Sequence, residues 1–295
     1  MQWHPVLTDR FKLAEGPFWD QATQALYFVD IAGQQACRLT TSGLVRWRLA
    51  EPVSAFIPTD QGDALVTLAS GVYRLDLASS TDRPSLRLFT RVDPVAGNRA
   101  NESRCDPQGR LWVGTMQNNL GPAAEDIPVT RDSGGLFRVT ATGAAQPAVT
   151  ALLQGLGIPN TLEWSADGRY LYTADSRAGQ LYRYPLQPDG SLGDREPWAA
   201  QGPGAPDGSA LDSEGYLWNA RWGAGCLLRL APDGSIDQCI NVPASHPTSC
   251  VFGGPDLRTL YLTSAIPAAG ATPSDGAVFA ARVKVSGRPC HRFAG

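Results

Sequence analysis

A short phrase recurs six times along the chain, and no other feature restricts the possible folds as strongly. Each copy is a polar turn carrying Asp or Gly, then Leu, commonly an aromatic, and then an alternating apolar run. The copies are WDQATQALYFVD, TDQGDALVTL, CDPQGRLWVGT, SADGRYLYTAD, DSEGYLWNA and GPDLRTLYLTS. Their leucines, Leu26, Leu65, Leu111, Leu171, Leu217 and Leu260, stand 39, 46, 60, 46 and 43 residues apart. Between them a second phrase recurs: Gly, an apolar pair and Arg, as in GVYRLDL, GGLFRVT, GQLYRYPL and GCLLRLAP. Periods of ~40 to 50 residues filled with short strands are those of propeller blades. No window carries an amphipathic helix of three turns. The pattern predicts an all-β, six-bladed β-propeller with four antiparallel strands per blade, forming one domain over residues 1–295. The six leucines are expected in the core. The recurrent Arg38, Arg74, Arg138, Arg183 and Arg229 are expected on exposed strand faces, pairing across the sheet.

Charge narrows the function classes. The 25 Lys and Arg are scattered among 28 Asp and Glu, for a net charge of -3, which is no nucleic-acid footprint. No apolar run approaches the ~20 residues of a membrane span. The opening MQWHPVLTDRFKLAEG has neither the basic nor the apolar region of a signal peptide, so a cytoplasmic location is expected. The six cysteines show no CxxC spacing and read as reduced, mostly buried small hydrophobes. His4, His246 and His291 stand in unrelated contexts and G-x-S-x-G is missing, so a histidine metal site or an acylated nucleophile has little to build on.

Function has to come from residues that break the repeat. Four segments do so just before a repeat strand: LAEGPFWD with Glu15, GNRANESRCDPQG with Asn98 to Glu102, GIPNTLEWS with Asn160, and PDGSALD with Asp207. In three of them Pro or Gly flanks one oxygen-bearing side chain. Each taken singly is more readily a turn residue. Together they lie on different blades, whose equivalent strand starts converge on the central channel. Glu15, Asn160 and Asp207 then offer two carboxylates and an amide oxygen, a hard donor set for Ca²⁺, Mg²⁺ or Mn²⁺, with Zn²⁺ or Fe²⁺ less favoured. Three protein ligands leave positions open for water and substrate. The longest interval, between Leu111 and Leu171, holds the insertion MQNNLGPAAEDIPVTRDSGG, expected to be a long functional loop.

These segments, with NRANESRCDPQGRLWVGTM, GIPNTLEWSADGRYLYTADS, PDGSALDSEGYLW and SCVFGGPDLRTLYLTSA, make the chain resemble the SMP-30/gluconolactonase/regucalcin family of six-bladed propellers over nearly its whole length. The resemblance implies one divalent metal on Glu15, Asn160 and Asp207, with Asp207 also the catalytic base. It implies substrate contacts from Arg99 and Asn101. It points to a carboxylic ester hydrolase that opens a sugar lactone, the metal polarising the carbonyl and activating water, with no nucleic-acid or membrane partner. Two positions depart from the family pattern: Glu102 stands for Asp and is a candidate substrate contact with a re-aimed carboxylate, and Thr161 stands for the Gly after the metal-binding Asn. An acidic contact shortly after GTM falls on Gln117, Asn118 and Asn119 here, which makes Asn119 the expected substitute. Trp19, Arg221 and Trp222 are candidates for the pocket mouth, and Arg221 is a candidate grip on an anionic substituent. A calcium-binding regucalcin-like protein and a phosphotriesterase-like metal hydrolase are the alternatives. Monomer and homodimer stay equally open.

Overall fold

The computed structural model describes residues 1–122, 124–141 and 146–295; residue 123 of the insertion lies outside the described residues. Among these residues there is no helix, and so none long and apolar enough to cross a membrane. The strands form six four-stranded antiparallel sheets. Their innermost strands are Ala14–Asp20, Val53–Pro58, Asn98–Cys105, Pro159–Trp164, Ala205–Leu211 and Pro247–Gly253. These strands define blades one to six. Five blades run outward in chain order, whereas the sixth takes its outermost strand from Trp3–Pro5, which pairs antiparallel with Phe279–Arg282 and closes the ring.

The repeat explains the blade. Leu26, Leu65, Leu111, Leu171, Leu217 and Leu260 all sit on second strands and are fully buried between neighbouring sheets. The Asp of the turn does more than turn. Asp212 is fully buried and accepts the amides of Glu214 and Tyr216 through Oδ1 and the Trp218 indole through Oδ2 at 2.9 Å. Asp106 repeats this in blade three, holding the amides of Gln108 and Arg110 and the Trp112 indole. One carboxylate thereby shapes the turn and fixes the core tryptophan that follows it.

The recurrent arginines are not exposed, contrary to expectation. Arg74 is buried and Arg38, Arg138, Arg183 and Arg229 are half-buried. Each guanidinium lies over an aromatic ring: Arg38 over Trp47, Arg74 over Phe89, Arg138 over Trp112, Arg183 over Tyr170 and Arg229 over Tyr216, at 3.6–5.8 Å. The stem covers apolar surface while the head stacks. Cysteines follow expectation except Cys239, which is exposed on an outer strand, and Cys290, half-buried; all six are free thiols.

Candidate functional site

Every innermost strand slips register near its start. The breaks fall between Glu15 and Phe18, Val53 and Ala55, Ala100 and Ser103, Asn160 and Glu163, Pro206 and Ser209, and Pro247 and Ser249. A bulge leaves residues outside the ladder and re-aims their side chains. In blades one, three, four and five the break spans two residues, and these blades carry Glu15, Asn101 and Glu102, Asn160, and Asp207. In blades two and six it spans one residue, Ser54 or Thr248, whose hydroxyl bonds backbone oxygen instead.

The glycines here have local reasons. Gly16 has φ +55°, the left-handed turn that swings Glu15 inward. Gly208 lies so close to blade six that a Cβ would meet Ser249 Oγ at 2.1 Å. Only a glycine lets the Asp207 backbone lie against that neighbour.

The bulges deliver Glu15, Asn160 and Asp207 to the floor of one cavity of about 260 Å³ at the strand-start end of the axis. Arg99, Asn101 and Asn119 line it as well, and Trp222 stands in its wall. The carboxyls of Glu15 and Asp207 are hydrogen-bonded to each other. Burial, then the nearby Glu102 charge, pushes Glu15 up to about 8; burial, then Glu15, holds Asp207 well above the usual carboxylate range. Two buried acids in contact cannot both ionise without a compensating cation. Asn160 is aimed by its neighbours. Its Oδ1 accepts from Asn101 Nδ2 at 3.0 Å, and its Nδ2 donates to Ser176 Oγ, which donates to the Pro206 carbonyl at 2.6 Å. Arg99 donates to Asn119 Oδ1 from Nε and Nη2, at 3.1 and 2.7 Å, and from Nη1 to Asn101 Oδ1 at 2.9 Å. Burial pulls the Arg99 guanidinium down to about 10, still charged at neutral pH. A hydrogen-bonded chain therefore runs from Asn119 through Arg99, Asn101, Asn160 and Ser176 to the backbone beside Asp207.

Three candidates are not brought to the cavity. Glu102 points beneath the floor, where it lines a separate small cavity with Pro159 and feels Arg104 and Glu163 most strongly after burial itself. Arg221, 2% exposed, is sealed in the wall. Its Nε donates to the Pro203 carbonyl at 2.8 Å, Nη1 to Asn219 Oδ1 and Nη2 to the carbonyls of Gly202 and Gly204. Trp19 lies at the far end of its strand, stacked on Tyr261. Two polar residues that are not among the sequence candidates also line the cavity. Ser176 follows the strand of TADS and has no distinguishing local signal. Asp126 comes from the insertion, where an acid in a functional loop is a usable clue.

No group of three His, Cys, Asp or Glu gathers around a common point among the described residues. The floor has two carboxylates and an amide oxygen, and the raised pKa of both acids fits a cation between them. The geometry defines a class: a six-bladed propeller with an oxygen-donor cluster at the axial mouth. The pattern of the SMP-30/gluconolactonase/LRE-like region matches residues 13–266, and the chain belongs to that family. It is 36% identical to a 6-deoxy-6-sulfogluconolactonase of Pseudomonas putida, over 96% of this chain and 95% of the relative. It is 33% identical to an L-arabinolactonase of Azospirillum brasilense, over 97% and 93%. The crystal structure of regucalcin from Agrobacterium tumefaciens, described as a calcium-binding protein, superposes with a TM-score of 0.88 at 28% identity, over 99% and 97%.

Proposed function

We propose that the protein is a sugar lactonase that hydrolyses an aldonolactone to the aldonic acid with one divalent cation on Glu15, Asn160 and Asp207. The observation that carries this reading is the hydrogen-bonded Glu15–Asp207 pair, with the Asn160 amide beside it, at the floor of a cavity sized for one sugar ring. The relatives named as lactonases support the reaction class. The bound cation supplies charge to polarise the carbonyl and to acidify water.

The chain's own groups do the rest. Asp207 accepts a proton from water as the water oxygen bonds the carbonyl carbon. The ring C–O bond then breaks, and the ring oxygen leaves as a hydroxyl carrying that proton. Arg99 is held by Asn119 and Asn101 in one orientation, with one Nη2 N–H left for a substrate hydroxyl or ring oxygen. Asn101 is positioned by the same guanidinium.

Purified protein supplied in turn with Mn²⁺, Zn²⁺, Ca²⁺ and Mg²⁺ should release acid from glucono- and arabinonolactone. Asp207→Ala should lower the rate by about 10³-fold or more, since it removes both a ligand and the base. Acid release that ignores chelator and survives Asp207→Ala sinks the proposal. The same buried acids also suit a protein that only binds calcium. Tight Ca²⁺ binding by calorimetry without turnover of any lactone would establish that second reading.

A further inference from the structure

The charged groups of the cavity are unequally committed. Its lining has three carboxylates, Glu15, Asp126 and Asp207, and one cation, Arg99. Glu15 and Asp207 are bonded to each other at the floor. Arg99 spends Nη1 on the Ala100 carbonyl and Asn101, and Nε and one Nη2 hydrogen on Asn119. Arg221 faces the carbonyls of the 202–204 loop and is not among the lining residues. Asp126 differs from all of these: it is exposed and makes no hydrogen bond or ion pair with any described residue. Its place is fixed by backbone. Leu120 and Asp126 form an antiparallel bridge, the Ile127 amide donates to the Asn119 carbonyl at 2.8 Å and the Gly121 amide donates to the Glu125 carbonyl at 2.9 Å. Further along, Gln117 Oε1 accepts the amides of Thr130 and Arg131, which ties the returning chain to the blade. The carboxylate thus stands beside Asn119 and near enough to Arg99 to act on its charge.

We propose that Asp126 is a specificity-determining residue: it accepts hydrogen bonds from the hydroxyls of an uncharged sugar lactone and rejects lactones that carry an anionic substituent. The inference rests on the lactonase reading. An ionised carboxylate only accepts, so sugar hydroxyls satisfy it, whereas a phosphate or sulfonate brings acceptors and a like charge. Specificity then comes from a repulsive element as well as an attractive one. No second cation in the lining offsets that repulsion, and the one arginine, hydrogen-bonded to two asparagines, has a single Nη2 N–H left to offer a substrate.

The test compares gluconolactone with gluconolactone phosphorylated at C6, using the metal-supplied full chain and its Asp126→Asn and Asp126→Lys variants. Asp126 is exposed on a loop, so neither substitution threatens folding. The wild type should prefer the neutral lactone by about 100-fold in kcat/KM, the factor expected for a like charge some ångströms away at a partly solvated site. Asp126→Asn should raise KM for the neutral lactone and remove most of that preference of about 100-fold, and Asp126→Lys should reverse its sign. A preference unaltered in both variants, or a wild type that favours the phosphorylated lactone, overturns the proposal and leaves the lactonase reading intact. A wild type that opens neither lactone overturns that reading, and the proposal with it.

Discussion

At Thr161 a β-branched residue holds φ +52°, a backbone state that such side chains rarely adopt. The strain persists because surrounding bonds over-determine it. The fully buried hydroxyl donates to the Asp207 carbonyl at 2.5 Å and meets Ser209 Oγ at 2.8 Å, while Asn219 Nδ2 reaches the same carbonyl at 2.9 Å. The departure from glycine after Asn160 thus ties blade four to the backbone of Asp207. Thr161→Val keeps shape and strain but removes the donor. It should cost about 1–3 kcal/mol in chemical unfolding, whereas Thr161→Ser should cost less. A loss in Thr161→Ser with none in Thr161→Val would assign the role to shape alone. The Glu15–Asp207 pair makes a second prediction, for chelator-treated protein. An acid whose folded pKa lies above its unfolded value binds its proton better in the folded state, so stability falls as pH rises. For Glu15 the penalty is absent below the ordinary glutamate value of 4.5, grows above it and is complete beyond about 8. Chelated protein should therefore melt several degrees lower near pH 9 than near pH 5, at roughly 2–4 °C per kcal/mol, and added divalent cation should erase the difference. A chelated melting temperature that is flat across this range would contradict the paired acids.

Among elements, the bulged inner strand and the arginine-bearing third strand account for what the sequence shows and what it hides. The leucines and turn aspartates are legible because a period of two and a turn signal both act within one segment. The bulges are not, because register is a property of two paired strands. Pro and Gly around Glu15, Asn160 and Asp207 mark where the chain leaves the ladder without showing where each side chain goes. Glu102 illustrates the limit: beside Asn101 in the same bulge, it points below the floor rather than into the cavity. Arg221 reads as a ligand grip because its loop partners, the carbonyls at 202–204, leave no trace in residue type. The arginine row was legible as a row and misread as exposed, since an aromatic ring on or beside a neighbouring strand, preceding or following, supplies its stacking surface. Its members should differ sharply in worth. Arg229 bonds the fully buried Asp212 at 2.8 Å as well as Asp237 and Glu214. Arg229→Ala strands that carboxylate and should cost about 3–5 kcal/mol by denaturant unfolding. Arg183 pairs with a partly exposed Glu196, so Arg183→Ala should cost about 1 kcal/mol or less from the ion pair. Similar losses at both positions would show that stacking, not the buried carboxylate, sets the value of the row.

The whole ring is closed at both ends of the chain, and the two closures are of different kinds. Trp3–Pro5 completes the sixth sheet by pairing with Phe279–Arg282, so the first strand of the chain is held in the same blade as its last. The C-terminal segment instead crosses the end of the axis opposite the cavity. Its amides reach Leu257, Leu211, Pro58 and Gly109, and Arg292 pairs with Asp20 at the last position of the first inner strand. Phe293 is fully buried there, edge-on to Phe89 at 5.5 Å. Beneath the site, Arg104 and Glu163 are ion-paired among Arg288, Cys290 and His291 of this segment, so the tail seals a polar stratum from solvent. The inner strand separates the two ends by its length, ~20 Å for six residues. Stability and chemistry should therefore come apart in Phe293→Ala. The cavity left by the ring should cost about 3–5 kcal/mol, read as a lower denaturant midpoint with unchanged slope. Well below its melting point, the variant should keep the wild-type response of lactone turnover to divalent cation, because the bulges that hold Glu15, Asn160 and Asp207 lie at the other end of the strands. A fall in cation affinity matching the fall in stability would instead show that the tail holds the inner strands in register as far as the cavity floor.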